Sequence, residues 1–154
     1  MIVELTLASL VRMCAPVVAP RTSLAIIAVE SGGRPYAIND DTTHRAYFPA
    51  TREAAVARAR QLWRLGHMFD TGLTQVNSAN LERLHISIED AFDPCTNIWA
   101  GSRILLEDYR AAARVYGPGQ VALYHAFEAY NSGNLTGSAQ YAASVWQAGW
   151  SEGE

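Results

Sequence analysis

Among the 154 residues, the side chain least at ease in its surroundings is Glu30. It follows Leu24-Ala25-Ile26-Ile27-Ala28-Val29, a run apolar on nearly every side of a helix, and Gly32-Gly33 with Pro35 must stop that helix just beyond it. The carbonyl end of a helix carries partial negative charge and disfavours an acid. A carboxylate held there against apolar neighbours is penalised twice, so its pKa rises toward the value a general acid needs near neutral pH. The alternative is a side chain that turns outward into water. The other reactive types are sparse. Cys14 and Cys95 lie 81 positions apart and fit either a disulfide or two buried thiols, with no CxxC nearby. His44, His67, His85 and His125 share no ligand spacing, and no metal site is expected.

A general acid needs a scaffold, and the composition supplies one. Hydrophobic residues make up 49% and charged residues 18%, which suits one folded domain with a sizeable core rather than a disordered chain. Net charge is −3 and the arginines are scattered, so there is no electrostatic footprint for nucleic acid. The apolar runs are far shorter than the ~20 residues of a membrane span. The start shows no basic stretch ahead of an apolar one, which leaves open a leader trimmed and replaced by Met1.

Helical spacing dominates. Val3, Leu7, Leu10 and Val11 share a face, and Cys14-Ala15-Pro16 ends their helix. Thr22 or Pro20 opens the buried helix that ends at Glu30. Tyr36 to Phe48 loses periodicity and reads as a loop or small β element. Thr51 caps a helix from about Arg52 to Leu65. His67 to Leu81 is again irregular, Ser87-Ile88-Glu89-Asp90 opens a short helix, and Asp93-Pro94 opens a long one closed by Gly117-Pro118. Val121, Tyr124, Phe127 and Tyr130 mark another, and a last helix runs from about Ser138 to Ala148. The expected fold is mainly α (α+β), a single domain over 1–150 with one or two irregular excursions and a frayed tail at 151–154.

The stretch Val29-Glu30-Ser31-Gly32-Gly33-Arg34-Pro35-Tyr36-Ala37 resembles the glutamate motif of the lytic transglycosylases, lysozyme-like enzymes that cut peptidoglycan. Gly72-Leu73-Thr74-Gln75-Val76-Asn77-Ser78 and Ala129-Tyr130-Asn131-Ser132-Gly133-Asn134 resemble that family's second and third motifs, in the same order. The Cys14-Ala15-Pro16 entry, the segment Ala91-Phe92-Asp93-Pro94-Cys95-Thr96-Asn97 and Ala100-Gly101 are similar to the VirB1-type members that accompany bacterial type IV secretion systems. The resemblance covers roughly Cys14 to Ala148. It implies a lysozyme-like fold and an enzyme that needs no cofactor, acting on the β-1,4 bond between N-acetylmuramic acid and N-acetylglucosamine. It also implies type IV secretion components as candidate partners, and a periplasmic location where a Cys14–Cys95 disulfide would persist.

By the same resemblance Glu30 is the catalytic acid and then base. The muramyl acetamido group replaces a second carboxylate, and the sugar's 6-hydroxyl attacks to leave a 1,6-anhydro end. Ser31, Gln75, Asn77 and Tyr130 form the substrate-binding set. Within it Ser31 orients Glu30 or donates to substrate, Gln75 is weighted toward substrate, and Asn77 toward fixing its own loop. Tyr130 would hydrogen-bond the catalytic carboxylate, and Asn131 reads as scaffolding. Asp70 opens a segment that also resembles the part of animal lysozymes supplying their second carboxylate. If it faced Glu30 at about 5 Å, a retaining hydrolase would result; otherwise it is a turn-forming Asp before Gly72. A third reading is a weakly active assembly module of a secretion apparatus.

Overall fold

Most helix starts among the described residues have a local cause. The computed structural model describes residues 5–150; Val3 and the expected 151–154 tail lie outside the described residues. Thr6 caps α1 (Leu7–Cys14) by accepting the Ser9 N–H, and Pro20 sits at the first position of α2 (Pro20–Glu30), where no backbone N–H is needed. Thr51, Ser87 and Asp93 cap α3 (Arg52–Arg64), α5 (Ile88–Ala91) and α6 (Pro94–Tyr116) through the N–H groups of Ala54, Asp90 and Thr96. Each such bond contributes about 1 kcal/mol. Gly117 and Gly133, both at φ 77°, terminate α6 and α7 (Gln120–Ser132), and α8 (Ala139–Trp150) completes the order.

The two excursions build one sheet. Strands β1 (Ile38–Asp40), β2 (Arg45–Tyr47), β3 (Phe69–Thr71) and β4 (Val76–Asn77) pair antiparallel in the order β2-β1-β3-β4. The first excursion was expected as a loop or β element. The second was expected to be irregular, but the structure forms two strands and a short helix there, α4 (Ser78–Arg83), capped by the Asn77 side chain. Strands of two and three residues are too short to show an alternating pattern in sequence, which is why they were not legible.

Register decides what this sheet offers. Ala46 pairs with Asn39, Asn39 with Asp70, and Asp70 with Asn77, so these four residues form one row across all four strands and share a face. The opposite face carries Ile38 and Phe69, which pack with Ala55, Ala59, Leu62 and Phe92. A second core joins α2, α6, α7 and α8 through Ala25, Ile26, Leu105, Phe127 and Val145. Cys14, at the end of α1, is bonded to Cys95 in the first turn of α6, with Cα atoms 5.3 Å apart, and beside it Val11, Ile27, Leu73 and Ile98 form a third core. The polar row of the sheet and the faces of α6 and α7 are thereby left on opposite walls of a cleft.

Candidate active site

Glu30 stands at the last position of α2 and opens into that cleft, which has a volume of about 590 Å³. Burial raises its pKa to about 7, with the charge of Asp41 adding to the rise and the Tyr141 hydroxyl opposing it. That hydroxyl is buried and has no conventional hydrogen-bond partner; the group it faces is the Glu30 carboxyl. Tyr130, on α7, also lies in the electrostatic field of Glu30. Its hydroxyl is committed elsewhere, donating to the Thr74 carbonyl at 2.6 Å. Among the described residues no hydrogen bond joins Tyr130 to the catalytic carboxyl, and the tyrosine hydroxyl that bears on the Glu30 pKa from close by is that of Tyr141.

The loop from Thr71 to Val76 is fixed from below by Asn97. This buried amide donates to the carbonyls of Thr71 and Ala91 at 2.8 and 2.9 Å and accepts from the N–H and hydroxyl of Thr74, both at 2.8 Å. All of its capacity for two donated and two accepted bonds is used. Gly72 has φ 76°, and a Cβ there would lie 2.5 Å from the Asn97 amide nitrogen. Gly101 gives a similar close approach, since a Cβ would meet the Thr74 hydroxyl at 2.5 Å and the Tyr130 hydroxyl at 3.0 Å. Ser31 ties this loop to α2: its buried hydroxyl donates to the Leu73 carbonyl at 2.8 Å. It bonds neither Glu30 nor open solvent.

Gln75 lines the cleft with a left-handed backbone, φ 54°. Its amide nitrogen donates to the carbonyls of Ala37 and Gly72 at 3.1 and 2.9 Å, which joins the two excursions. Asn77 also lines the cleft and donates to Asp70 at 2.9 Å and Asp41 at 3.2 Å. Asp41 in turn accepts from Asn39 at 3.0 Å. Burial, and after it the neighbouring Asp41 carboxyl, lift Asp70 to about 8.

A further carboxyl, Asp108 on α6, lies farther along the cleft and is raised to about 7, first by burial and then by Glu107, with Arg83 pulling the other way. Arg83 itself is paired to Glu107 at 3.0 Å. The cleft brings together Glu30, Asp70, Gln75, Asn77 and Tyr130 and places Ser31 beneath it. Asp41, Asp108 and Tyr141 are the members that sequence reasoning missed. Asp41 was hidden in a turn-forming Asn-Asp-Asp run, whereas Asp108 follows Ile104 by four residues and so shares its helical face. Tyr141 carried only a faint signal, a tyrosine near the start of the last helix. Among the described residues no His, Cys, Asp and Glu cluster could hold a metal.

What this cleft can do is protonate a leaving oxygen at near-neutral pH beside amides and carboxyls able to hydrogen-bond hydroxyl groups, a setting suited to a carbohydrate. The chain is 42% identical over 129 residues to the type IV secretion system protein virB1 of Brucella suis, covering 83% of this chain and 54% of that protein. It is 34% identical over 125 residues to protein virB1 of Agrobacterium fabrum, covering 81% and 51%. The chain therefore spans about half the length of the curated relatives it matches. No solved structure gives a significant match. The transglycosylase SLT domain matches residues 9–151, nearly the whole chain, and the protein belongs to that family.

Proposed function

We propose that the protein is a peptidoglycan lytic transglycosylase, a carbon–oxygen lyase acting on the glycan strand. The observation that carries this reading is the Glu30 carboxyl, poised at about 7 at the end of a buried helix and open to a cleft. Glu30 gives its proton to the glycosidic oxygen as the bond from the muramyl C1 breaks. The acetamido group of the same sugar stabilises the developing positive charge. The 6-hydroxyl then attacks C1 and its proton passes to the Glu30 carboxylate, which restores the acid and leaves a 1,6-anhydro ring without consuming water. Ser31 acts as a positioning residue through the Leu73 carbonyl, Gln75 and Asn77 shape the sugar-facing wall, and Tyr141 holds the carboxylate between the two steps.

The state of Asp70 favours this route over a hydrolase. A retaining hydrolase uses a second, ionised carboxylate as nucleophile, whereas burial, with Asp41 beside it, pushes Asp70 toward its protonated form. The type IV secretion name of the Brucella relative supports a wider role, in which the protein opens the cell wall for such an apparatus and works in the periplasm. No described helix is long and apolar enough to cross a membrane, and the disulfide fits an oxidising compartment. The test is Glu30→Gln, which should abolish release of soluble muropeptides and leave binding to sacculi intact. Loss of both together would contradict a catalytic role for Glu30. A wild type that binds sacculi without cutting them would instead favour the assembly-module reading.

A further inference from the structure

Past the catalytic cleft, on the far side of Phe48, lies a second depression of about 460 Å³ formed by the Gly33–Ala37 turn and the Phe48–Ala50 segment. Phe48 and Ala37 line both spaces, which adjoin at these two residues. Phe48 is 59% exposed and joins none of the core clusters. The Arg34 guanidinium lies over its ring at 4.4 Å. The pleat explains why this arginine belongs to the cleft side. Ala46 and Phe48 face the cleft, whereas Tyr47 points to the opposite side of the hairpin, where Arg45 and Arg58 stack on it. The Arg34 backbone is also held, by its N–H to the Ser31 carbonyl and by its carbonyl to the Ala37 N–H.

The charges around these two spaces are unequal. The cleft wall carries Glu30, Asp41, Asp70, Glu107 and Asp108 against one cation, Arg83, which is already paired with Glu107. No carboxylate is paired with Arg34 among the described residues. The cleft thus offers no unpaired cation to an acidic substituent, whereas the adjoining depression offers Arg34, four residues beyond Glu30 in sequence. A peptidoglycan strand has this distribution of charge: a neutral backbone, with peptides carrying free carboxylates on each muramyl sugar.

From this we infer that the depression beyond Phe48 is a stem-peptide site, in which Arg34, backed by the Phe48 ring, binds a peptide carboxylate of the strand being cut. The inference rests on the peptidoglycan reading given above. Stacking on Phe48 fixes the guanidinium plane and lowers the ordering needed to bind a carboxylate with two parallel N–H donors. Arg34 is a specificity residue here and takes no part in proton transfer.

The test compares kcat/KM for intact glycan strands with that for strands stripped of their peptides by an amidase, using wild type, Arg34→Gln and Arg34→Glu. Intact strands should lose roughly tenfold with Arg34→Gln, the size of one charge-assisted contact at a half-exposed site, and more with Arg34→Glu. Stripped strands should be cut by all three within about twofold, and the thermal midpoints should agree because Arg34 is a surface residue. Equal losses on both substrates, or no loss on either, would overturn the stem-peptide site while leaving the cleavage reading standing. A wild type that releases no anhydro product from either substrate would overturn the cleavage reading and the site with it.

Discussion

Glu30 pays for its chemistry in stability. Its carboxyl ionises near pH 4.5 when unfolded and near 7 when folded, so the fold is favoured below the lower value and loses that advantage as pH rises through the folded pKa. The difference amounts to about 3 kcal/mol before allowing for partial exposure to the cleft. Glu30→Gln removes the ionisation, and the variant is expected to be more stable at pH 8 by on the order of 1–2 kcal/mol, read as a higher thermal midpoint; an equal or lower midpoint would contradict the elevated pKa. Because the acid form delivers the proton, activity should fall about tenfold per pH unit above 7. Tyr141→Phe deletes the hydroxyl that lowers the Glu30 pKa. The falling limb should then move to higher pH, with kcat reduced; a limb that stays in place would show that Tyr141 does not face the reacting carboxyl. At this scale Glu30 was legible because it violates a local rule. Tyr141 and Asp41 were not, because each becomes significant only when another element is brought beside it.

The elements explain why the motif residues occur where they do. The loop Gly72 to Asn77 reads in sequence like a set of substrate-facing amides, but much of its polarity is turned inward. Asn97 occupies four hydrogen-bonding groups, Thr74 contacts both Asn97 and Tyr130, and the Gln75 amide nitrogen bridges the two excursions. Asn97→Ala would leave buried carbonyls and N–H groups unpaired, and a loss of about 2–4 kcal/mol in denaturant unfolding is expected. Activity should drop with it even though Asn97 touches no substrate. Gly72→Ala meets both a left-handed backbone and the Asn97 amide and should behave alike; native-like stability in either variant would mean that the loop is held in some other way. Helix starts and stops were legible from Thr51, Ser87, Asp93-Pro94 and the terminal glycines. The strands were not, since a row such as Ala46-Asn39-Asp70-Asn77 exists only after register is set across four short segments.

For the whole molecule, the central arrangement is a sheet row facing two helices across a cleft, with α1 strapped to α6 by Cys14–Cys95. Closing so long a loop contributes about 4 kcal/mol in the chain-entropy account, so reduction should lower the denaturation midpoint markedly at neutral pH. A midpoint insensitive to reductant would contradict a structural role for the bond. The mainly α fold was legible from apolar spacing and caps, whereas the acidic character of the cleft was not: net charge is only −3, and folding gathers five carboxyls on one surface. Those carboxyls bear on the choice between lyase and hydrolase, because burial and the neighbouring Asp41 favour the protonated form of Asp70 over a free base. The most direct test is mass spectrometry of the soluble muropeptides released from purified peptidoglycan, with Glu30→Gln as control. Products one water lighter than hydrolysis products, ending in 1,6-anhydro-muramic acid and missing in the variant, are the expected result. Reducing-end products that depend on Glu30 and vanish with Asp70→Asn would contradict it and make the protein a lysozyme.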